Sequence, residues 1–129
     1  MIPKFRAWHN ELARMMSISD MWFNVDSLGE IGLNDAVMND YITVSPDEIE
    51  LMQSTGLKDK NGKEIFEGDI LKSNKYITSV FYERGAYCVK FCRTTNTTVT
   101  MNVISFIEKY KTKVIGNIYE NPELLEDSK

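Results

Sequence analysis

QSTGLKDKNGKEIFEGDILK, residues 53–72, holds three glycines in twenty positions, and its reading decides how the chain divides. Asn61-Gly62 tolerates positive φ at both residues and predicts a tight turn. Glu67-Gly68-Asp69 predicts a second turn that launches the strand Ile70-Leu71-Lys72. Gly56 falls where a glycine ends a helix, so the stretch reads as a joint between a helix before it and strands after it. The glycine spacing fits neither a dinucleotide fingerprint nor a P-loop. An EF-hand also fails, because the glycine comes too early and Lys63 stands where a carboxylate is needed.

Upstream, Ser45-Pro46-Asp47-Glu48 combines a capping serine, a proline in the first turn and a capping-box glutamate. It predicts a helix over 46–54 with Ile49 and Met52 turned inward. The acids Asp47 and Glu48 are explained by capping. Residues 4–8 alternate as a strand, and 13–16 read as its hairpin return, with Trp8 and Met16 as anchors. His9 falls in the expected turn as a solvated residue. Between 17 and 44, residues 21–25 and 38–44 read as short strands, and 28–35 as loop.

Downstream the chain reads as β. Residues 78–82 and 87–92 flank Glu83-Arg84-Gly85-Ala86 as a hairpin, with Tyr87, Val89 and Phe91 on its core face. Residues 99–104 read as a strand, and 105–110 fit either a strand or a helical turn. Residues 113–119 form a last strand with a bend or bulge at Gly116, and Asn121-Pro122 opens a short terminal helix.

A length of 129 residues with 43% hydrophobic content suits one ordinary domain with a real core. The formal charge of −4 argues against a globally basic nucleic-acid binder but leaves room for a local patch. No apolar run approaches the roughly 20 residues that span a bilayer. The start, MIPKFRAW, has no apolar signal core, so a cytoplasmic location is expected, without membrane association. Cys88 and Cys92 stand four apart in a strand, about 13 Å by strand rise, and cannot bridge. With His9 the only histidine, no metal set is expected, and no other cofactor motif occurs.

Candidate contacts are Lys58, Lys60, Lys63, Lys72 and Lys75, with Tyr76 or Phe66 to stack on a base. Asp59, Glu64, Glu67 and Asp69 interleave with them, leaving that region at 5 − 4 = +1, so a solvated polar turn is the default. Glu67 and Asp69 could be paired carboxylates, but around a glycine they better shape a turn. No nucleophile–base pair is legible, and no catalytic residue is assigned. A non-enzymatic module that binds a protein partner or itself is expected first, nucleic-acid binding second and a hydrolytic enzyme last.

PKFRAW at 3–8, TGLKDKNGKEIFEGDI at 55–70 and VIGNIYENPELL at 114–125 come in the order of the YopX family, which the chain resembles over nearly its whole length. His9 departs from the aspartate common after the tryptophan. The resemblance implies a phage or prophage accessory protein in the cytoplasm of a bacterial host. It also implies an α+β fold: an N-terminal β-hairpin and helix part, residues 1–54, joined to a small SH3-like β-barrel over 55–129 within one YopX-like domain. It carries no catalytic residues, since the family has no established biochemical function.

Overall fold

The structure is a computed structural model describing residues 4–23, 28–36 and 38–126. The chain forms two compact units, Met1–Gln53 and Ser54–Lys129. Their charges differ. The first carries three basic and nine acidic side chains (−6), the second twelve and ten (+2).

The first unit is an antiparallel sheet. β1 (Phe5–His9) pairs with β2 (Arg14–Phe23), β2 with β3 (Leu28–Asp35), and β3 with β4 (Asp40–Val44). The first half of β5 (Ile49–Lys58) lies on the other side of β1, with Ala7 opposite Leu51. Ala7, Met16, Ile31, Leu33, Val44 and Ile49 form its core.

Four expectations are corrected here. The helix over 46–54 is a single 3-10 turn, Pro46–Glu48, followed at once by β5. The cap is real, since the Glu48 carboxylate accepts the Ser45 N–H at 2.7 Å. Only that turn is helical, because β1 offers Ile49 and its successors a ladder, and tertiary pairing overrides a local start signal. Gly56 therefore ends no helix; it lies at the register shift of β5 between Ser54 and Lys58.

Residues 28–35, read as loop, are instead β3, between β2 and β4. Gly32 is required there for close approach: a Cβ would stand 2.4 Å from the Tyr41 hydroxyl, whose ring crosses β3 to reach Asp20 at 3.1 Å. His9 is buried at the end of β1, and its Nδ1 accepts the Leu12 N–H at 3.1 Å. The expected strand over 21–25 is the end of β2 as far as Phe23; Asn24 and Val25 lie outside the described residues.

In the second unit, the remainder of β5 pairs with β6 (Glu64–Phe66). β7 (Asp69–Lys72) lies between β12 (Lys113–Asn117) and β8 (Ile77–Ser79), and β10 (Ala86–Thr94) between β11 (Thr97–Asn102) and β9 (Phe81–Glu83). Helix α1 (Val103–Lys109) joins β11 to β12, and α2 (Glu123–Glu126) follows the expected Asn121-Pro122 start. The hairpin turn is Arg84-Gly85, and β12 carries its bulge between Val114 and Gly116. Ile65, Leu71, Val80, Val89, Phe91, Val103 and Phe106 make the core. Cys88 is buried in β10, Cys92 is exposed, and both are free.

The expected α+β fold with an SH3-like barrel is overturned. The described chain is mostly antiparallel β with short helices, and none of its sheets closes into a barrel. The reason lies in how β8 meets its neighbours. At Val80 the strand expected over 78–82 breaks, and the backbone of Val80 bonds Gly68 and Asp69 instead. Between β8 and β10, the Thr78 hydroxyl donates to the Lys90 carbonyl at 2.7 Å and accepts its N–H at 3.2 Å. A side chain takes the place of a closing backbone ladder.

Gly62 has φ +83° and open space where a Cβ would go. Gly62→Val should therefore cost only backbone strain, about 1–2 kcal/mol. Changing the charge at exposed Lys58 or Lys60 should stay within about 0.5 kcal/mol. Urea melts of the three variants check the order; equal midpoints would contradict it.

Candidate functional site

The cation positions come together at the end of the second unit where β7 leaves its sheet and β12 enters it. Lys72 closes β7 and Lys113 opens β12, and the two are direct cross-strand partners. Directly opposite residues point to the same face, and like charges so placed are unfavourable. Their neighbours Leu71 and Val114 face inward, as the two-residue period requires.

After β7, Ser73 is buried and folds the chain back. Its N–H donates to the Tyr76 carbonyl at 2.9 Å, and its hydroxyl accepts the N–H groups of Lys75 at 3.2 Å and Tyr76 at 2.9 Å. Lys72 and Lys75 are thereby held on either side of one tight turn. Ahead of β12, α1 ends as the Tyr110 N–H bonds the Phe106 carbonyl. Buried Thr112 then donates to the Tyr110 carbonyl at 2.7 Å. This places Lys109, Lys111 and Lys113 in succession.

Asp59 joins the turn at Asn61-Gly62 to this assembly. Expected as part of a solvated turn, it is buried. One carboxylate oxygen accepts the N–H groups of Asn61 at 2.9 Å and Lys63 at 2.8 Å, and the other accepts that of Val114 at 2.9 Å. The adjacent Lys60 N–H donates to the Thr112 carbonyl at 3.0 Å. Burial pushes the Asp59 carboxyl up, but the three N–H donors and the charge of Lys63 outweigh it and hold the group below the ordinary aspartate value.

The result is a cleft of about 600 Å³ lined by Lys60, Lys72, Ser73, Asn74, Lys75, Lys109, Tyr110, Lys111 and Lys113. Six lysines line it, with no carboxylate among the lining residues. All six lysines are exposed. A cleft lined by one sign of charge focuses its field and concentrates ions of the opposite sign. Lysine is a point charge on a flexible stem, suited to phosphate oxygens without fixed geometry.

Of the sequence candidates, Lys60, Lys72 and Lys75 meet here. Lys58 and Lys63 do not line the cleft; Lys58 stands opposite Glu64 in the β5–β6 pair. Tyr76 packs its ring on Phe91 at 4.3 Å and edge-on to Tyr110 at 5.4 Å, so it belongs to the core. Phe66 is half-buried, and its N–H donates to Asp69, which is itself buried and shapes the turn at Gly68. Lys109, Lys111 and Lys113 were missed. Part of their signal was present: Lys111 and Lys113 alternate in KTK leading into β12, whereas Lys109 closes α1.

The first unit has a second hollow of about 360 Å³, lined by Asn34, Asp35, Ala36, Asn39, Asp40 and Tyr41. Asp35 is paired with Arg14. Loss of hydration, the hydrogen bond from its hydroxyl to Asp20, and the charges of Asp20 and Glu30 push the Tyr41 phenol above its ordinary value. Such a hollow repels anions. Among the described residues, no group of three or more His, Cys, Asp or Glu could hold a metal ion, and no helix is long and apolar enough to cross a membrane.

No curated protein matches the chain. Among solved structures, it is similar to protein EF1440 from Enterococcus faecalis, at 31% identity and TM-score 0.66, over 97% of this chain and 99% of that one. It is also similar in fold to protein yopX from Bacillus subtilis, at 21% identity and TM-score 0.61, over 95% and 97%. The family model described as YopX protein matches residues 4–126, and the chain belongs to the YopX family.

Proposed function

We propose that the protein is a non-enzymatic nucleic-acid-binding protein whose lysine cleft takes the phosphodiester backbone. The observation that carries this is the convergence of six lysines from three stretches of chain on one concavity without a carboxylate. Two of them are held directly opposite each other, where they repel. An arrangement unfavourable in the free protein is relieved when an anion lies between the charges. The overall charge of −4 obscured this, because the acidic excess lies in the first unit. A nucleic-acid ligand fits the setting implied by the family resemblance, a phage or prophage product in the cytoplasm of a bacterial host.

Fluorescence anisotropy with a labelled 20-nucleotide strand at 50 mM salt tests the reading. Saturable binding in the micromolar range is expected, as befits sequence-independent contacts. No binding at 100 μM protein, or equal binding to anionic vesicles or an acidic peptide, would overturn it.

A protein partner or self-association is the second reading, favoured by a different observation. Trp22 and Phe23, adjacent at the end of β2 in the first unit, are 46% and 68% exposed, and large exposed apolar side chains mark interaction surfaces when they cluster. Solution mass by light scattering checks it: a monomer at all concentrations that captures no specific host protein would count against it.

A further inference from the structure

The aromatic rings bordering the cleft are already engaged. Tyr110 is the one aromatic residue in its lining. Its ring stands edge-on to Tyr76 at 5.4 Å and Phe91 at 6.2 Å, and tilted against Phe106 at 5.2 Å. The Lys109 ammonium lies 5.7 Å from its centroid, within the range of a cation–π contact. Tyr76, next in sequence to Lys75, has Phe91 against it at 4.3 Å. A base stacking on Tyr110 would therefore have to compete with these neighbours and displace the Lys109 ammonium. The lining also has no arginine, whose rigid planar fork gives the most geometrically fixed pairing with guanine, and its lysines act as point charges on flexible stems. The Ser73 hydroxyl is engaged by the turn it closes. Asn74 and the Tyr110 hydroxyl are the remaining neutral polar groups of the lining.

Single-strand binders ordinarily combine a basic groove with aromatic stacking platforms. Here the first component is present and the second is built into the core. We infer that the cleft recognises the sugar–phosphate chain alone, so that its ligand class is a linear polyphosphate or phosphodiester irrespective of its bases. This rests on the nucleic-acid reading above and narrows it.

Two labelled strands of equal length separate the inference from that reading: one of deoxythymidine, the other of abasic sugar–phosphate units. One stacked base contributes about 1–3 kcal/mol, roughly 5- to 150-fold in affinity. The abasic strand should bind the full chain within about fivefold of the thymidine strand at 50 mM salt, and inorganic polyphosphate should displace both. If the thymidine strand binds and the abasic strand is more than fivefold weaker, backbone-only recognition is wrong while nucleic-acid binding stands. If neither strand binds, both fall.

Discussion

Replacing Lys72 and Lys113 together by glutamate should weaken binding to a nucleic-acid strand on the order of 50-fold at 50 mM salt and lower the salt slope by about 1.4, since each single-strand phosphate contact contributes about 0.7. The two residues share one face of the β7–β12 pair and line the cleft from opposite strands. Stability gives an independent sign. Lys72→Glu alone converts a like-charge cross-strand pair into an attractive one, so it should raise Tm while weakening binding. The double variant restores a like-charge pair, now of two glutamates, and should melt near the parent. A fall in Tm with Lys72→Glu would show that the lysines are not placed as described. Unchanged affinity in the double variant would show that the cleft is not the site.

The second large effect belongs to Asp59. Asp59→Ala leaves three N–H groups without the carboxylate that accepts them. Hydrogen bonds to a charged group contribute about 1.5–3 kcal/mol, and a buried donor left unsatisfied costs about 1–3. A loss of about 3 kcal/mol in urea unfolding is expected. The pH dependence follows from the direction of the shift. The folded-state pKa lies below the unfolded value of about 3.9, so this contribution is fully present above pH 4. It is lost as pH falls through the lower folded value. Asp59→Ala should therefore lose less stability than the parent between pH 4 and 2.

Asp59→Asn separates positioning from charge. The amide keeps one acceptor oxygen for the turn but presents an NH2 to the Val114 N–H. Charge alone predicts tighter phosphate binding, because a negative group beside Lys60 disappears. Positioning predicts weaker binding and a smaller salt slope in the protein that remains folded, because Lys60 loses its tie to the start of β12. The second outcome is expected; tighter binding would confine Asp59 to a structural role.

Much of this was legible locally. The turn at Asn61-Gly62, the strand over 70–72, a last strand expected over 113–119 and found over 113–117, a hairpin with its turn inside the expected connection 83–86, and the short helix after Asn121-Pro122 follow from turn chemistry and alternation. What failed depended on long-range pairing. The capping signal at Ser45 opens a single turn because β1 captures the chain at Ile49. The glycines of β3 looked like breakers, yet Gly32 is small so that Tyr41 can lie across it. The barrel failed where the Thr78 side chain substitutes for a backbone ladder.

The site was half legible for the same reason. Lys60, Lys72 and Lys75 lie within sixteen residues of one another, but Lys109, Lys111 and Lys113 reach them through the β7–β12 pairing and the Asp59–Val114 bond. A sum over neighbours in sequence gave +1 because it included Glu64, Glu67 and Asp69, which the fold leaves out of the lining. Distance along the chain was a poor guide to which charges share a surface.

The most direct test is the salt dependence of affinity for one strand, measured between 50 and 200 mM. Contact with about four phosphates predicts a log–log slope near −3 in the parent protein and about −1.5 after reversal of Lys72 and Lys113. A slope flatter than about −1 in the parent, or the same slope in both proteins, would contradict a cleft that works by ammonium–phosphate contact.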